Sequence, residues 1–253
     1  MEVERYVDLH CHWVAAIDDG VKTVEGGIEL LSGLGSLGFS HVVATPHMRP
    51  GMFDNDKAAL VKAFAKMSEE LDRRSKEGDL RLPERSLGSE HFFDDIVFAR
   101  AMVGDVLPYS GSNVFLVEFS PRAFPKNVQA RLFDLRRAGL STVIAHPERY
   151  EPVWKDVDSL EPLLDSGAFL LLDICALVGK YGRAPQEAAM KLIELDLYDA
   201  ACSDAHKPED LKDVEKALNW CSKNLARGEL DRLFRTGPET ILRGSVAVPA
   251  ART

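Results

Sequence analysis

Two short motifs place potential metal ligands two residues apart in the sequence. His10 and His12 lie in the segment DLHCH, and Asp204 and His206 lie in the segment SDAH. Side chains two residues apart in an extended segment face the same way, so each pair can direct its ligand atoms to one point. Neutral imidazole and carboxylate groups suit Zn²⁺, Mn²⁺ or iron. Both motifs therefore predict a metal site.

Four further histidine or acidic residues complete a candidate set of eight ligands. These are His47 in ATPH, Glu90 in GSEH, Glu118 in VEF and His146 in AHPER. Eight ligands exceed what one ion needs, so the set predicts two or three divalent ions with Glu90 or Glu118 as a bridge. Adjacent ions can generate hydroxide at neutral pH and stabilise the attacking and leaving oxygens of a displacement.

Each of these residues alone is weak evidence for a metal. A single histidine or glutamate at the end of a strand is more often a cap or a satisfied polar residue than a ligand. The spacings HxH and DxH alone add little to this. The combination carries the prediction, because all eight residues end or follow predicted strands. His41 and His91 fall outside the set, and we interpret them as surface residues or as residues that support the ligands.

Short apolar runs alternate with amphipathic segments along the chain, a pattern that predicts repeated strand–helix units. The predicted strands cover residues 6–9, 41–45, 87–92, 114–119, 142–145, 168–174 and 199–203. The predicted helices cover residues 23–37, 54–76 with Asp54 or Asn55 as the N-cap, 94–103, 126–138, 157–166, 185–195, 208–224 and a tail from 228 to about 242.

Strands that alternate with helices imply an α/β fold with a parallel sheet covered on both faces. A barrel and a doubly wound sheet both satisfy this pattern. In either architecture the loops that follow the strands meet at one edge, where active sites form. The pattern therefore predicts that the eight candidate ligands meet at that edge.

Composition and charge indicate the number of domains, the kinds of partner and the cellular compartment. The 253 residues show no compositional break, so we expect a single domain over residues 1–253 with a helical tail from about residue 208 and a loose terminus after Val246. A net charge of −9 without a basic run argues against nucleic-acid binding. No apolar run is long enough for membrane insertion, and four cysteines without a CxxC pair favour the cytoplasm.

Seven segments, in order, resemble the polymerase-and-histidinol-phosphatase (PHP) family. Within that family they look like the bacterial tyrosine-phosphatase branch linked to capsule and exopolysaccharide synthesis. The segments are DLHCH at 8–12, IDDG at 17–20, VVATPH at 42–47, GSE at 88–90, VFLVEF at 114–119, IAHPERY at 144–150 and SDAH at 203–206. The combination of IDDG, AHPER and SDAH is more specific to this branch than HxH alone.

The resemblance implies a distorted, TIM-like (β/α)7 barrel with a three-metal centre. By motif position the ligands would be His10, His12, His47, Glu90, Glu118, His146, Asp204 and His206. The expected ions are Mn²⁺ first, with iron, Zn²⁺ or Mg²⁺ as alternatives. The resemblance also implies a protein-tyrosine phosphatase whose substrate is the phosphorylated tail of a bacterial tyrosine kinase that controls polysaccharide export.

An acidic chain needs local positive charge to bind a phosphate ester. Arg149, in the AHPER segment, is the first candidate, because its planar guanidinium matches phosphate oxygens. Arg49 and Arg183 are further phosphate-binding candidates. The alternative for Arg149 is an ordinary surface position or an ion pair with Glu148.

The segment IDDG supplies two adjacent carboxylates, Asp18 and Asp19. Asp near the start of a helix is a common cap, so we interpret both as residues that shape the loop before the first helix. Assistance to catalysis is the alternative.

The entrance loops depart from the usual pattern of the branch. Cys11 replaces a serine, WVAA at 13–16 replaces a segment with Pro-Gly, and Phe53 replaces a tyrosine while Arg49 is displaced. None of these positions is a predicted ligand, but all lie where substrate would enter. A histidinol-phosphate or other small-molecule phosphatase therefore remains open, as does a metal-binding regulatory module without catalysis.

A cysteine-dependent mechanism is a further alternative, because CSKNLAR from Cys221 to Arg227 has C-x5-R spacing. We reject it. The segment begins late in a predicted helix and lacks the glycines of a phosphate-binding loop.

Overall fold

A computed structural model describes residues 5–78 and 81–244, so the expected loose terminus after Val246 lies outside the described residues. The strands are β1 Tyr6–Cys11, β2 Phe39–Ala44, β3 His47–Met48, β4 Glu84–Leu87, β5 Glu90–Phe92, β6 Val114–Glu118, β7 Ser141–Ala145, β8 Phe169–Asp173 and β9 Ala200–Cys202. The α-helices are α1 Val24–Ser36, α2 Lys57–Gly78, α3 Asp95–Met102, α4 Val128–Arg137, α5 Glu151–Lys155, α6 Glu161–Asp165, α7 Arg183–Glu194, α8 Leu211–Asn224, α9 Arg227–Asp231 and α10 Gly237–Arg243.

The described strands form two sheets, and every strand pair within them is parallel. One sheet has the order β1-β2-β4, and the other has the order β3-β5-β6-β7-β8-β9. β2 and β3 are two pieces of one strand that breaks at Thr45 and Pro46, and β4 and β5 are two pieces that break at Gly88 and Ser89. The described strands therefore fill seven positions, each followed by helical structure.

The order of these seven positions follows the order of the chain. A doubly wound sheet instead reverses its direction at a switch point. The last strand also returns to the first, since the Asp204 N–H donates to His10 O at 3.0 Å and the His12 N–H donates to Ala205 O at 2.9 Å. Cys11 and Ala205 form a parallel bridge at the same place. The predicted α/β fold with a distorted (β/α)7 arrangement is confirmed.

Both faces of the strands are buried, as their apolar composition predicts. In β6, Val114 and Leu116 belong to a smaller apolar cluster that includes Ile241 of α10. Phe115 and Val117 belong to the larger cluster on the other face. Apolar packing on both faces thus holds the strands in place, and with them the side chains at the carboxyl ends of the strands.

Several predicted boundaries differ from the observed ones. β1 continues to Cys11, so His10 lies inside the strand and not beyond it. The predicted N-caps of the second helix, Asp54 and Asn55, are wrong. Asp56 accepts a hydrogen bond from the Ala59 N–H at 2.7 Å and occupies the capping position. Asn55 instead donates its side-chain amide to the backbone oxygens of Ile17 and His47.

The helical regions after the fifth strand position also differ from prediction. The predicted helix over 157–166 is a 3₁₀ turn at Val157–Leu160 followed by α6, and α5 before it was missed. Proline near the start of both α5 and α6 favours two short helices with separate starts. Among the described residues, no helix combines the length and apolar character that a membrane span requires.

Candidate functional site

All eight predicted ligands lie in one cluster at the carboxyl ends of the strands, and all but Glu118 and His206 are buried. Their ligand atoms fall into overlapping groups within 4.8 Å: His12, Asp19, His47 and His206; His10, Glu90 and His146; His10, His12 and Asp204; and His47, Glu90 and Glu118. Glu90 is the centre of the cluster. Its carboxylate oxygens lie 3.4 Å from His10 Nε2, 3.1 Å from His47 Nδ1 and 2.9 Å from His146 Nε2.

The cluster contains polar atoms that are buried without a hydrogen-bond partner in the described part of the chain. They are Nε2 of His10 and His12, Nδ1 of His47 and His146, Oε1 of Glu118 and Oδ1 of Asp204. Each such atom costs about 1–3 kcal/mol if nothing satisfies it. All six can present a lone pair, so divalent cations fit this donor set.

Neighbouring side chains orient the two histidines of the first motif. His10 Nδ1 lies 2.5 Å from Thr45 Oγ1, and His12 Nδ1 lies 2.8 Å from Asp18 Oδ2. In both rings this leaves Nε2 directed at the cluster. A hydrogen bond to the second ring nitrogen fixes the tautomer and direction of a metal-binding histidine.

The two IDDG carboxylates have different roles. Asp18 shapes the loop as predicted, because it accepts hydrogen bonds from the backbone N–H groups of Gly20 and His47. Asp19 lies in the cluster, whereas the sequence analysis favoured a loop role for it and kept assistance to catalysis as the alternative. Its Oδ1 lies 3.3 Å from His47 Nε2 and 3.6 Å from His206 Nε2, and its side chain is 52% exposed. The cluster therefore opens to solvent beside Asp19.

Burial and mutual charge perturb the cluster strongly. Burial and the charge of Glu90 raise the pKa of Glu118. Burial and the charge of Arg149 lower the pKa of His146 to about 4, so its imidazole is neutral at pH 7. Burial alone would raise the pKa of Asp204, but His10 and Arg149 hold it well below its usual range. Bound cations would relieve the crowding of these buried acids.

Two candidate ligands have left-handed backbone conformations. His146 has φ 37° and Asp204 has φ 45°. This region is unfavourable for residues with a side chain, and such strain concentrates at functional sites. In both cases the strand has just ended. The sharp change of direction keeps the side chain at the carboxyl ends of the strands, which we call the mouth of the barrel.

Arg149 lies at the edge of the cluster. Its Nη2 donates to Asp204 Oδ2 at 2.5 Å, and its guanidinium lies 4.6 Å from the centre of the Tyr181 ring. Within the described residues, Arg149 forms ion pairs with Asp173 and Asp204 and none with Glu148, so the alternative of a Glu148 pair does not hold. Glu148 is buried and accepts a hydrogen bond from the Tyr198 hydroxyl at 2.8 Å.

The other two candidate arginines have different surroundings. Arg49 lies 4.1 Å over the Phe92 ring, and its backbone forms a tight hairpin with Phe53, whose ring stacks on His47 at 5.1 Å. Arg49 is therefore close to the mouth. Arg183 begins α7, is 88% exposed and donates to Glu187 at 2.7 Å. No contact joins Arg183 to the cluster in the described residues.

His91 and His41 lie outside the cluster. His91 is fully buried, with Nδ1 2.9 Å from Leu116 O and Nε2 accepting from the Leu107 N–H, so the surface interpretation does not hold for it. His41 is half-buried beside Ser86.

A model of the family described as capsular polysaccharide synthesis, CpsB/CapC, matches residues 6–243. The chain belongs to the CpsB/CapC family. The matched residues include every candidate ligand of the cluster as well as Arg149.

Relatives of this CpsB/CapC chain carry enzyme names. Tyrosine-protein phosphatase YwqE of Bacillus subtilis is 26% identical over 238 residues, which cover 94% of this chain and 91% of YwqE. Tyrosine-protein phosphatase CpsB of Streptococcus agalactiae is 22% identical over 247 residues, which cover 94% of this chain and 98% of that protein.

Solved structures share the fold of this CpsB/CapC chain. A crystal structure from work on YwqE of Bacillus subtilis and CpsB of Streptococcus pneumoniae, described as metal-dependent tyrosine phosphatases, aligns with a TM-score of 0.83 and 26% identity over 95% of both chains. The phosphotriesterase homology protein of Escherichia coli aligns with a TM-score of 0.59 at 11% identity, covering 95% of this chain and 99% of the other. The second match supports the fold alone.

The C-x5-R segment of this CpsB/CapC chain contributes no residue to the groups of donor atoms that the described structure brings together; it spans the end of α8 and the start of α9. Cys221 is fully buried within α8, and burial raises its pKa to about 12, so it has no thiolate at neutral pH. We expect Cys221→Ser to keep phosphatase activity within about twofold of the parent on p-nitrophenyl phosphate. Loss of activity in a variant with unchanged thermal stability would instead support a cysteine nucleophile.

Proposed function

We propose that this chain is a metal-dependent phosphomonoester hydrolase that removes phosphate from tyrosine residues of a protein. The observation that carries the proposal is the convergence of buried histidine and carboxylate atoms that have no hydrogen-bond partner among the described residues, with Arg149 at its edge. Its relatives YwqE and CpsB are named tyrosine-protein phosphatases, which supports the substrate class.

We propose that the centre holds two or three divalent ions, with Mn²⁺ the first candidate and iron, Zn²⁺ or Mg²⁺ as alternatives. The ligands would be His10, His12, His47, Glu90, Glu118, His146, Asp204 and His206, together with Asp19. When bound, such ions supply Lewis acidity and an activated water at neutral pH. The four groups of donor atoms share members, which favours more than one ion.

The protein's own residues would bind and orient the phosphate. Hydrolysis breaks the bond between phosphorus and the phenolic oxygen, places the oxygen of water on phosphorus, and returns a proton to the phenol. Arg149 would neutralise charge on the equatorial phosphate oxygens, because its Nε has no hydrogen-bond partner in the described residues and its side chain is 22% exposed at the edge of the cluster. Arg49 would add positive charge from the hairpin that it forms with Phe53 beside the cluster.

We further propose that the substrate is the phosphorylated tyrosine-rich tail of a bacterial tyrosine kinase in the cytoplasm. The name of the family ties its members to capsular polysaccharide synthesis, which supports a substrate in that process. The exposed carboxylate of Asp19 marks a mouth that solvent reaches, as an extended protein tail requires. The four cysteines are buried and free, which fits a reducing compartment.

Activity measured on four phosphate esters tests this function. We expect turnover of p-nitrophenyl phosphate and of a phosphotyrosine peptide, with weaker turnover of a phosphoserine peptide and of histidinol phosphate. A chelator should abolish turnover, Mn²⁺ should restore it, and elemental analysis should give two or three ions per chain. Preferential turnover of histidinol phosphate would replace the tyrosine assignment. Metal binding without turnover of any ester would indicate a regulatory module.

A further inference from the structure

The guanidinium group of Arg149 is confined on three sides. Its Nη2 donates to Asp204 on one edge, its Nη1 lies 3.8 Å from Asp173 Oδ2 on another, and the Tyr181 ring covers one face. The side chain of Arg149 is 22% exposed, so a ligand can reach part of it. This arrangement fixes the plane and the position of the guanidinium before any phosphate binds.

Asp173, the last residue of β8, uses its two carboxylate oxygens for separate purposes. Oδ1 accepts a hydrogen bond from the Cys175 N–H at 2.9 Å and so caps the 3₁₀ turn at Ile174–Val178. Oδ2 is buried without a hydrogen-bond partner in the part of the chain that the structure describes, and it faces Arg149. A buried, unsatisfied carboxylate oxygen is costly unless its charge serves a nearby cation.

Hydrogen bonds of the buried Glu148 side chain hold Asp173 in place. Glu148 is fully buried, and its Oε1 accepts a hydrogen bond from the Asp173 N–H at 3.1 Å. Its Oε2 accepts from the Tyr198 hydroxyl at 2.8 Å. Because Glu148 and Arg149 are neighbours in the 3₁₀ turn after β7, this contact ties the turn that carries Arg149 to the end of β8.

We propose that Asp173 is a positioning residue that acts through Arg149 and holds its guanidinium ready for a phosphate group. The inference rests on the proposed phosphatase function. A phosphate that reaches Arg149 competes with Asp204 for its donors. The charge of Asp173 then keeps the guanidinium at the mouth while the contact with Asp204 loosens, so less side-chain freedom is lost on binding.

Asp173→Asn tests the proposal, because asparagine can keep the oxygen that caps the 3₁₀ turn while the charged Oδ2 that faces Arg149 becomes an uncharged amide NH2 group. We expect the dissociation constant for inorganic phosphate, measured by calorimetry on the metal-loaded protein, to rise about tenfold, and kcat/KM on p-nitrophenyl phosphate to fall about tenfold. Metal content and the unfolding midpoint should stay at parental values. Asp105→Asn, which changes an exposed carboxylate paired with Arg100, is the matched control.

A double-mutant cycle with Arg149→Ala separates positioning from a structural role. If Asp173 acts through Arg149, adding Asp173→Asn to Arg149→Ala should change phosphate affinity less than twofold. An equal tenfold loss in both backgrounds would overturn the proposal, as would parental phosphate affinity in Asp173→Asn alone. A parent that binds phosphate but hydrolyses no ester would contradict the proposed function and leave the cycle measurable by calorimetry.

Discussion

Glu90→Gln is expected to lower kcat/KM on p-nitrophenyl phosphate by about a thousandfold or more. Glu90 is 1% exposed, and its two oxygens lie within 3.4 Å of His10, His47 and His146. An amide has no charge and presents N–H donors to neighbouring imidazoles, so it cannot bridge cations. Loss of the metals removes several kcal/mol of transition-state stabilisation, and each 1.36 kcal/mol is about tenfold in rate.

Kinetics and elemental analysis on the same preparation check this result. The metal content of Glu90→Gln should fall together with its activity. Glu84→Gln is the matched control, because Glu84 lies in the preceding piece of the same broken strand and faces solvent. Full metal content with full activity in Glu90→Gln would remove Glu90 from the centre.

Arg149→Ala should lower kcat/KM by about a hundredfold to a thousandfold while the metals remain bound. This range is typical for the loss of one preorganised donor to transition-state charge. Arg149→Lys should recover only part of the activity, since lysine keeps the charge and loses the planar fork. Removal of the guanidinium also leaves Asp173 and Asp204 without their cation, so some loss of stability is expected.

Thermal unfolding and metal analysis of the Arg149 variants separate catalysis from stability. Arg183→Ala is the control, because Arg183 is exposed and pairs with Glu187 on α7. Its activity should stay within about twofold of the parent. If Arg183→Ala lost activity and Arg149→Ala retained it, the assignment of the phosphate-binding arginine would be reversed.

The convergence of the eight candidate ligands was accessible to sequence analysis because it follows two simple rules. Strands have a side-chain period of two, which pairs His10 with His12, and parallel strands gather their carboxyl ends at one edge. Asp19 follows neither rule. It lies in an irregular loop after His12, where spacing does not determine direction, and its approach to His47 and His206 depends on the course of that loop.

The role proposed for Asp173 is hidden from sequence analysis for a different reason. A single acidic residue at the end of a strand has many ordinary roles. Its link to Arg149 joins the turn after β7 to the end of β8, and these segments lie apart in the sequence and meet only when β7 and β8 pair. The split of the predicted strand over 87–92 is equally hidden. A side chain at Gly88 would place its Cβ 2.9 Å from the Tyr109 ring, and this close approach comes from tertiary packing.

The contact between the first and last strands means that two segments far apart in the chain must meet before the metal centre can form. The Ser203 hydroxyl donates to Asp8 Oδ2 at 2.5 Å, which closes a loop of 195 residues. Such a closure is entropically costly, and ions bound between His10 and Asp204 would bind only the closed form. Metal binding is then linked to folding, so the unfolding midpoint should rise with the concentration of free Mn²⁺ and fall with chelator. The bound ions would hold the first and last strands of the barrel together. In a cell short of metal the protein would therefore be less stable as well as less active.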